Sequence, residues 1–250
     1  MTRLLRTCSN AVLGAAVACS LLFCSPKALA ATATGEIEVL SKKTHSHIRK
    51  ADLSDVVVWL EPSKPLPTQA GDPPPLHARL LQKNKMFTPH VLVIQVGTVV
   101  DFPNADPIFH SAFSNYNGQL FDLGLYAPGS TKSVLFKRAG IVRVFCNIHP
   151  TMSAIIVVLD TPYYTSAKSG GEFQISDLPP GNYELHAFDE RATGKLPDAI
   201  RIAVPTEESR LQLPTLKISE EGYQPLPHKN KYGLDYPSDK SIEIYGGVQK

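Results

Sequence analysis

An all-β fold is what this 250-residue sequence predicts, and three observations predict it. Proline is frequent, with 21 residues recurring between apolar runs, a pattern that suits short strands and turns better than long helices. No stretch of helical period and useful length follows the first thirty residues. Short β-branched runs are plentiful, several with the period of two that marks a half-buried strand.

The first thirty residues stand apart. Arg3 and Arg6 make a positive start, Ala11 to Phe23 is mostly apolar, and Ala28-Leu29-Ala30 is a small-residue cleavage site. Residues 1–30 read as a secretory signal peptide. The apolar run falls short of the about 20 residues that a membrane anchor needs. Cleavage would remove Arg3, Arg6 and Lys27 and no acid, taking the formal charge from +2 to −1. With so little net charge, nucleic acid is not an expected partner. Cleavage would also remove Cys8, Cys19 and Cys24 and leave Cys146 alone. Exported proteins normally use cysteines in pairs, so a single one is either a liability or a ligand.

The strand signals then follow in order. Val56 to Leu60 is a β-branched run ending at Glu61-Pro62, and Pro62 to Pro75 reads as a Pro-rich loop. Val91 to Val100 is rich in Val and Ile and broken at Gly97. Ser133 to Phe136 is a short candidate. Ile141 to Cys146 alternates and puts Val142, Val144 and Cys146 on one face. Ala154 to Leu159 is continuously apolar and suits a strand buried on both faces. After Tyr164, Glu172 to Ile175, the turn Leu178-Pro179-Pro180-Gly181, the alternating Tyr183, Leu185 and Ala187, then Ile200 to Val204 and Leu211 to Leu216 look like half of a small β-sandwich. From Lys217 the chain is polar, a tail that either wraps a surface or is loosely ordered.

The chemistry concentrates in Cys146-Asn147-Ile148-His149-Pro150-Thr151-Met152, a loop between two predicted strands. A thiolate, an imidazole and a thioether thus share one short connection. Upstream, Asn104-Ala105-Asp106-Pro107-Ile108-Phe109-His110 follows the end of another strand. Two His, one Cys and a weak Met form the donor set of a blue-copper site: thiolate and thioether favour Cu(I), and imidazole accepts both oxidation states. His110, Cys146, His149 and Met152 are the candidate metal ligands. Asn104, Ser111 and Asn147 are candidates to orient them by hydrogen bonds. His45-Ser46-His47 could hold a metal on one face, although a solvated loop among Lys42, Lys43, Arg49 and Lys50 explains it as well. His77, His90, His186 and His228 have no assigned role. Tyr163-Tyr164 suits packing at a domain junction.

Residues Leu76 to Tyr164 resemble the plastocyanin/azurin-like cupredoxins. The resemblance rests on Phe87-Thr88-Pro89, Gly97-Thr98-Val99-Val100-Asp101-Phe102, Asn104 to His110, and the Cys146 to Met152 loop, whose spacing is similar to that of amicyanin. It implies a Greek-key β-sandwich with one type 1 copper ion near one end and electron transfer through the edge of His149. The segment with Phe121-Asp122-Leu123-Gly124 and Ala127-Pro128-Gly129-Ser130 departs from the small electron carriers. A second resemblance, to the carboxypeptidase-regulatory-like or transthyretin-like β-sandwich, rests on Gly171-Glu172-Phe173 and Leu178 to Leu185. The expected organisation is a signal peptide over 1–30, a cupredoxin domain over 76–164, a second small β-sandwich over 165–216 and a tail over 217–250. Either residues 35–62 supply the first strands of the second sandwich, with the cupredoxin inserted, or the two domains stand in tandem.

The expected function is one-electron transfer by an exported copper protein, in the periplasm or secreted, with a redox partner such as a cytochrome or dehydrogenase. No membrane span would remain after cleavage. The alternatives are periplasmic copper binding, storage or delivery, with His45 and His47 as a loading site, and a structural or glycan-binding sandwich without a working metal. Catalysis is not expected. Multicopper oxidases need several His-x-His motifs for a second cluster, and this chain has one; no nucleophile–base pair stands out either.

Overall fold

The computed structural model describes residues 30–40, 52–64, 75–115, 118–193, 199–225 and 228–236. The predicted signal peptide up to residue 29, His45 and His47, most of the Pro-rich loop and the chain after Tyr236 lie outside the described residues. All regular structure among the described residues is strand, and none of them forms a helix long and apolar enough to cross a membrane.

The first strands are β1 (Ala31–Leu40), β2 (Val57–Pro62), β3 (His77–Arg79), β4 (Leu81–Lys83), β5 (Met86–Thr88), β6 (Val91–Gln95) and β7 (Val99–Pro103). Next come β8 (His110–Ser114), β9 (Phe121–Tyr126), β10 (Thr131–Leu135), β11 (Gly140–Phe145) and β12 (Ser153–Leu159). The last are β13 (Tyr164–Ser166), β14 (Glu172–Leu178), β15 (Gly181–Phe188), β16 (Ile200–Val204), β17 (Arg210–Gln212) and β18 (Leu216–Ser219).

These strands sort into two layered units. In the first, β1 pairs with β14 antiparallel and with β17 and β18 in parallel, facing a second sheet ordered β13-β2-β15-β16. The other unit holds a sheet ordered β6-β12-β11-β8-β9, a sheet ordered β10-β7-β3 and the β4-β5 hairpin. The chain therefore leaves the first unit after β2, builds the other from β3 to β12, and returns at β13. The first unit also runs past Leu216: β18 takes Lys217 to Ser219 into its sheet and buries Ile218.

Side-chain alternation explains where the cores sit. On β11, Val142 and Val144 point inward together with Cys146 just beyond the strand, as the period-two pattern requires. Phe102, Ala112, Phe136, Ile156 and Met152 close the same core. Val58, Leu60, Phe173, Leu178, Leu185 and Leu216 fill the core of the first unit.

The two continuous apolar runs have one common cause. On β12, Ile156 and Val158 enter the site-bearing core, while Ile155, Val157 and Leu159 face a third cluster with Val57 of β2. On β2, Val58 and Leu60 enter the other core. Each strand is covered on both faces because the two units pack back to back through them. Tyr164 joins this shared cluster, and Tyr163 turns into the first unit, edge-on to Tyr183 at 5.8 Å.

Candidate metal centre

β8 and the β11–β12 loop bring three donors together. His110 opens β8, and its pairing with Tyr126 of β9 fixes its place. β8 also pairs with β11 through Phe113 and Phe145, which sets Cys146, the next residue, beside Ser111. The loop closes on itself: the Cys146 amide donates to the Met152 carbonyl (3.0 Å) and the Met152 amide to the His149 carbonyl (3.2 Å). His110 Nδ1 lies 3.2 Å from His149 Nδ1, Cys146 Sγ lies 3.5 Å from His149 Nδ1 and 3.9 Å from His110 Nδ1. A triangle of that size has its centre about 2 Å from each corner, the length of a metal–imidazole bond and slightly short for metal–thiolate.

Burial makes this convergence chemically pointed. His110 and Cys146 are fully buried, and His149 keeps only 6% of its surface. Three lone-pair donors facing one another away from water repel unless a cation or a proton lies between them. The protonation equilibria point the same way. Burial pushes the Cys146 thiol up, but the hydrogen bonds from His110, from His149 and from nearby backbone bring it down to about 5. Burial works to lower the His110 value, yet Cys146 and Asp106 together raise it. The pocket is built for positive charge, and the three residues form a group that could hold one metal ion. Met152 lies on the same loop, fully buried in the core cluster that contains Cys146.

The surrounding polar residues divide the orienting work. His110 Nε2 meets Asp106 Oδ2 at 2.7 Å, so the neutral ring keeps its proton on Nε2 and its lone pair on Nδ1, where a metal or a second proton can take it. Asp106 is itself held by the amides of Asn84 (2.6 Å) and Lys85 (2.9 Å). Those residues make the two-residue turn of the β4-β5 hairpin, both at positive φ (57° and 56°), as this turn type demands. Asn104 acts one step removed: its Oδ1 accepts from the Asp106 amide (3.0 Å) and its Nδ2 donates to the Ile108 carbonyl (2.8 Å). Ser111 Oγ accepts from the Asn147 amide (2.7 Å) and lies 3.7 Å from Cys146 Sγ. Asn147 points its side-chain oxygen away from the cluster, to the Lys231 amide (2.9 Å).

No family model and no curated protein matches the sequence. Solved structures do. A purple cupredoxin from Nitrosopumilus maritimus aligns at 26% identity over 34% of this chain and 99% of its own, with a TM-score of 0.30. A Cu-containing nitrite reductase from Thermus scotoductus SA-01 aligns at 27% identity over 40% of this chain, with a TM-score of 0.33, and only 26% of its own length is spanned. A reduced amicyanin variant aligns at 19% identity over 33% of this chain and 82% of its own, with a TM-score of 0.32. What the site does therefore rests on its own atoms.

Two residues at the site carry no function in the sequence reading. Asp106 had a signal that could have found it, a carboxylate four residues before a candidate His ligand. His228 had none. It stacks on Phe145 with ring centroids 4.2 Å apart, across a separation in the chain that no local pattern reveals. Of the other histidines, His90 meets Glu190 at 2.5 Å, His77 meets Asp101 at 3.4 Å and His186 stacks on Trp59 at 5.1 Å, all outside the cluster.

Proposed function

We propose that this chain is an exported type 1 copper protein that transfers single electrons. The observation that carries the reading is the buried triangle of His110 Nδ1, His149 Nδ1 and Cys146 Sγ, sized for one ion and already holding Cys146 toward the thiolate. A trigonal Cys-His-His set with a weak axial thioether is the ligand arrangement of blue copper, and the burial of Met152 on the same loop supports a role as that fourth donor. Copper bound there would supply a one-electron couple between Cu(I) and Cu(II).

The residues divide the remaining tasks. Cys146 supplies the soft, charged donor, and His110 and His149 the two imidazole lone pairs. Asp106 keeps the His110 proton on Nε2. The apolar wall of Phe102, Ala112 and Val144 excludes water, so the donors need not reorganise a solvent shell when the charge changes. His149 alone of the four retains surface exposure. Phe109 and Pro150, beside His110 and His149 in the chain, are exposed, which suits a brief apolar contact with a redox partner such as a cytochrome or dehydrogenase. The signal-peptide pattern of residues 1–30 supports a periplasmic or secreted location. The first unit's sheets, with the Leu178 to Leu185 motif, support a carboxypeptidase-regulatory-like module that spaces or docks the copper unit.

Stopped-flow mixing of the copper-loaded, reduced chain with a one-electron oxidant tests this reading. Full reoxidation within the mixing experiment, with no copper passing to a chelator on that timescale, is expected. Slow oxidation with ready handover of copper would instead make the site a store or delivery point.

A further inference from the structure

Residues 228–236 lie beyond β18, far along the chain from the Cys146 loop, yet they close onto it. Tyr236 Oη donates to the Cys146 carbonyl (2.7 Å). The Lys231 amide donates to Asn147 Oδ1 (2.9 Å), and Lys231 Nζ pairs with the Asp122 carboxylate of β9 (2.7 Å). His228 lies nearly flat on Phe145, 28° from parallel, and Tyr236 meets the His228 ring edge-on. The segment has its own shape. Asn230 Oδ1 accepts from the amides of Tyr232 and Leu234, and Gly233 takes a positive φ of 76°. The turn is closed by its own hydrogen bonds, which limits the chain freedom lost in making the contact.

The contacts fall on the outward side of the ligand loop. Inside, Cys146 is tied to Met152; on one side, Ser111 holds the Asn147 amide. The Cys146 carbonyl and the Asn147 side chain are the outward handles, and the segment takes both.

We propose that residues 228–236 are a strap of the metal centre, with Tyr236 and Lys231 as positioning residues that hold the Cys146–Met152 loop in ligating geometry and shield the Cys146 sulfur. As a device for copper retention the strap rests on the copper reading; as a clamp on the loop it does not.

The test uses the full chain with Tyr236→Phe, which keeps the ring and deletes the donor, Tyr236→Ala, which deletes both, and Leu234→Ala as a control at an exposed strap position. The first readout is the rate at which iodoacetamide alkylates Cys146 in metal-free protein, followed by mass spectrometry. The second is copper release to a chelator, with the position of the thiolate-to-copper band. Loss of the Tyr236 hydroxyl, with its bonds to the Cys146 carbonyl and to His228 Nδ1 (3.1 Å), predicts that alkylation and release both quicken at least about fivefold in Tyr236→Phe. Tyr236→Ala should exceed that, Leu234→Ala should match the wild type, and the band should move in the two Tyr236 variants. Wild-type rates in both Tyr236 variants, or equal acceleration by Leu234→Ala, would overturn the strap. Faster alkylation in a chain whose wild type takes up no copper would support the clamp and defeat the copper reading alone.

Discussion

Asp106 decides what kind of ligand His110 can be. A carboxylate on the far nitrogen makes an imidazole more basic and locks its tautomer, and partners of this kind are typically worth about 10–100-fold in metal affinity. Asp106→Asn should therefore weaken copper binding by about that factor and raise the reduction potential, because the anionic partner favours Cu(II). Competition titration against a chelator and voltammetry check the two effects; unchanged values would show that His110 is held by packing alone. Metal-free protein should show Cys146 thiolate absorbance that titrates near pH 5, far below an ordinary thiol. The donors His110, Cys146 and His149 were legible because spacing on one loop and softness of donors are properties of the sequence. The spacing of Asp106 before His110 is visible in the sequence, but the Asn84 and Lys85 amides that hold its carboxylate come from a hairpin that only the fold brings alongside.

Among elements, strands with regular alternation or unbroken apolar runs declared themselves, as β11, β12 and β15 did. β9 did not. Its pairing with β8 slips between Ser111 and Phe113 and Gly124 takes a positive φ of 62°, so its side chains lose the period of two. The polar sequence after Leu216 likewise concealed β18, whose parallel pairing with β1 needs only Leu216 and Ile218 inside. One contact between elements carries a pH signature. His90, just before β6, meets Glu190, just after β15, and Glu190 also takes Arg143 of β11 at 3.0 Å. The bond to Glu190 raises the His90 value from 6.5, and the same bond lowers Glu190 from 4.5. The His90 contribution is complete below its ordinary value and lost as pH rises through the raised one. The Glu190 contribution is present above its ordinary value and lost as pH falls through the lowered one. The advantage of wild type over Glu190→Gln in urea unfolding should therefore shrink as pH rises on the alkaline side of 6.5; a difference that stays constant with pH would show that the pair carries none of the pH dependence.

For the whole molecule, the back-to-back packing of β2 and β12 matters most. Ile155, Val157, Leu159 and Val57 form an apolar seam, and burying each such side chain stabilises by about 1.5–3 kcal/mol. The two units should therefore unfold together. Ile155→Ala should lower stability by about 2–5 kcal/mol, seen as one shifted transition by both Trp59 fluorescence and copper colour. Separate transitions would mean that the units are independent. Cys146 lies in the core on the opposite face of β12 from this seam, and copper binding can be read directly at its sulfur. Titrating the full chain with Cu(II) while recording visible and electron-paramagnetic spectra should produce an intense thiolate-to-copper band saturating at one ion per chain, and Cys146→Ser should abolish it. A colourless copper complex, or the same spectrum in Cys146→Ser, would contradict the account.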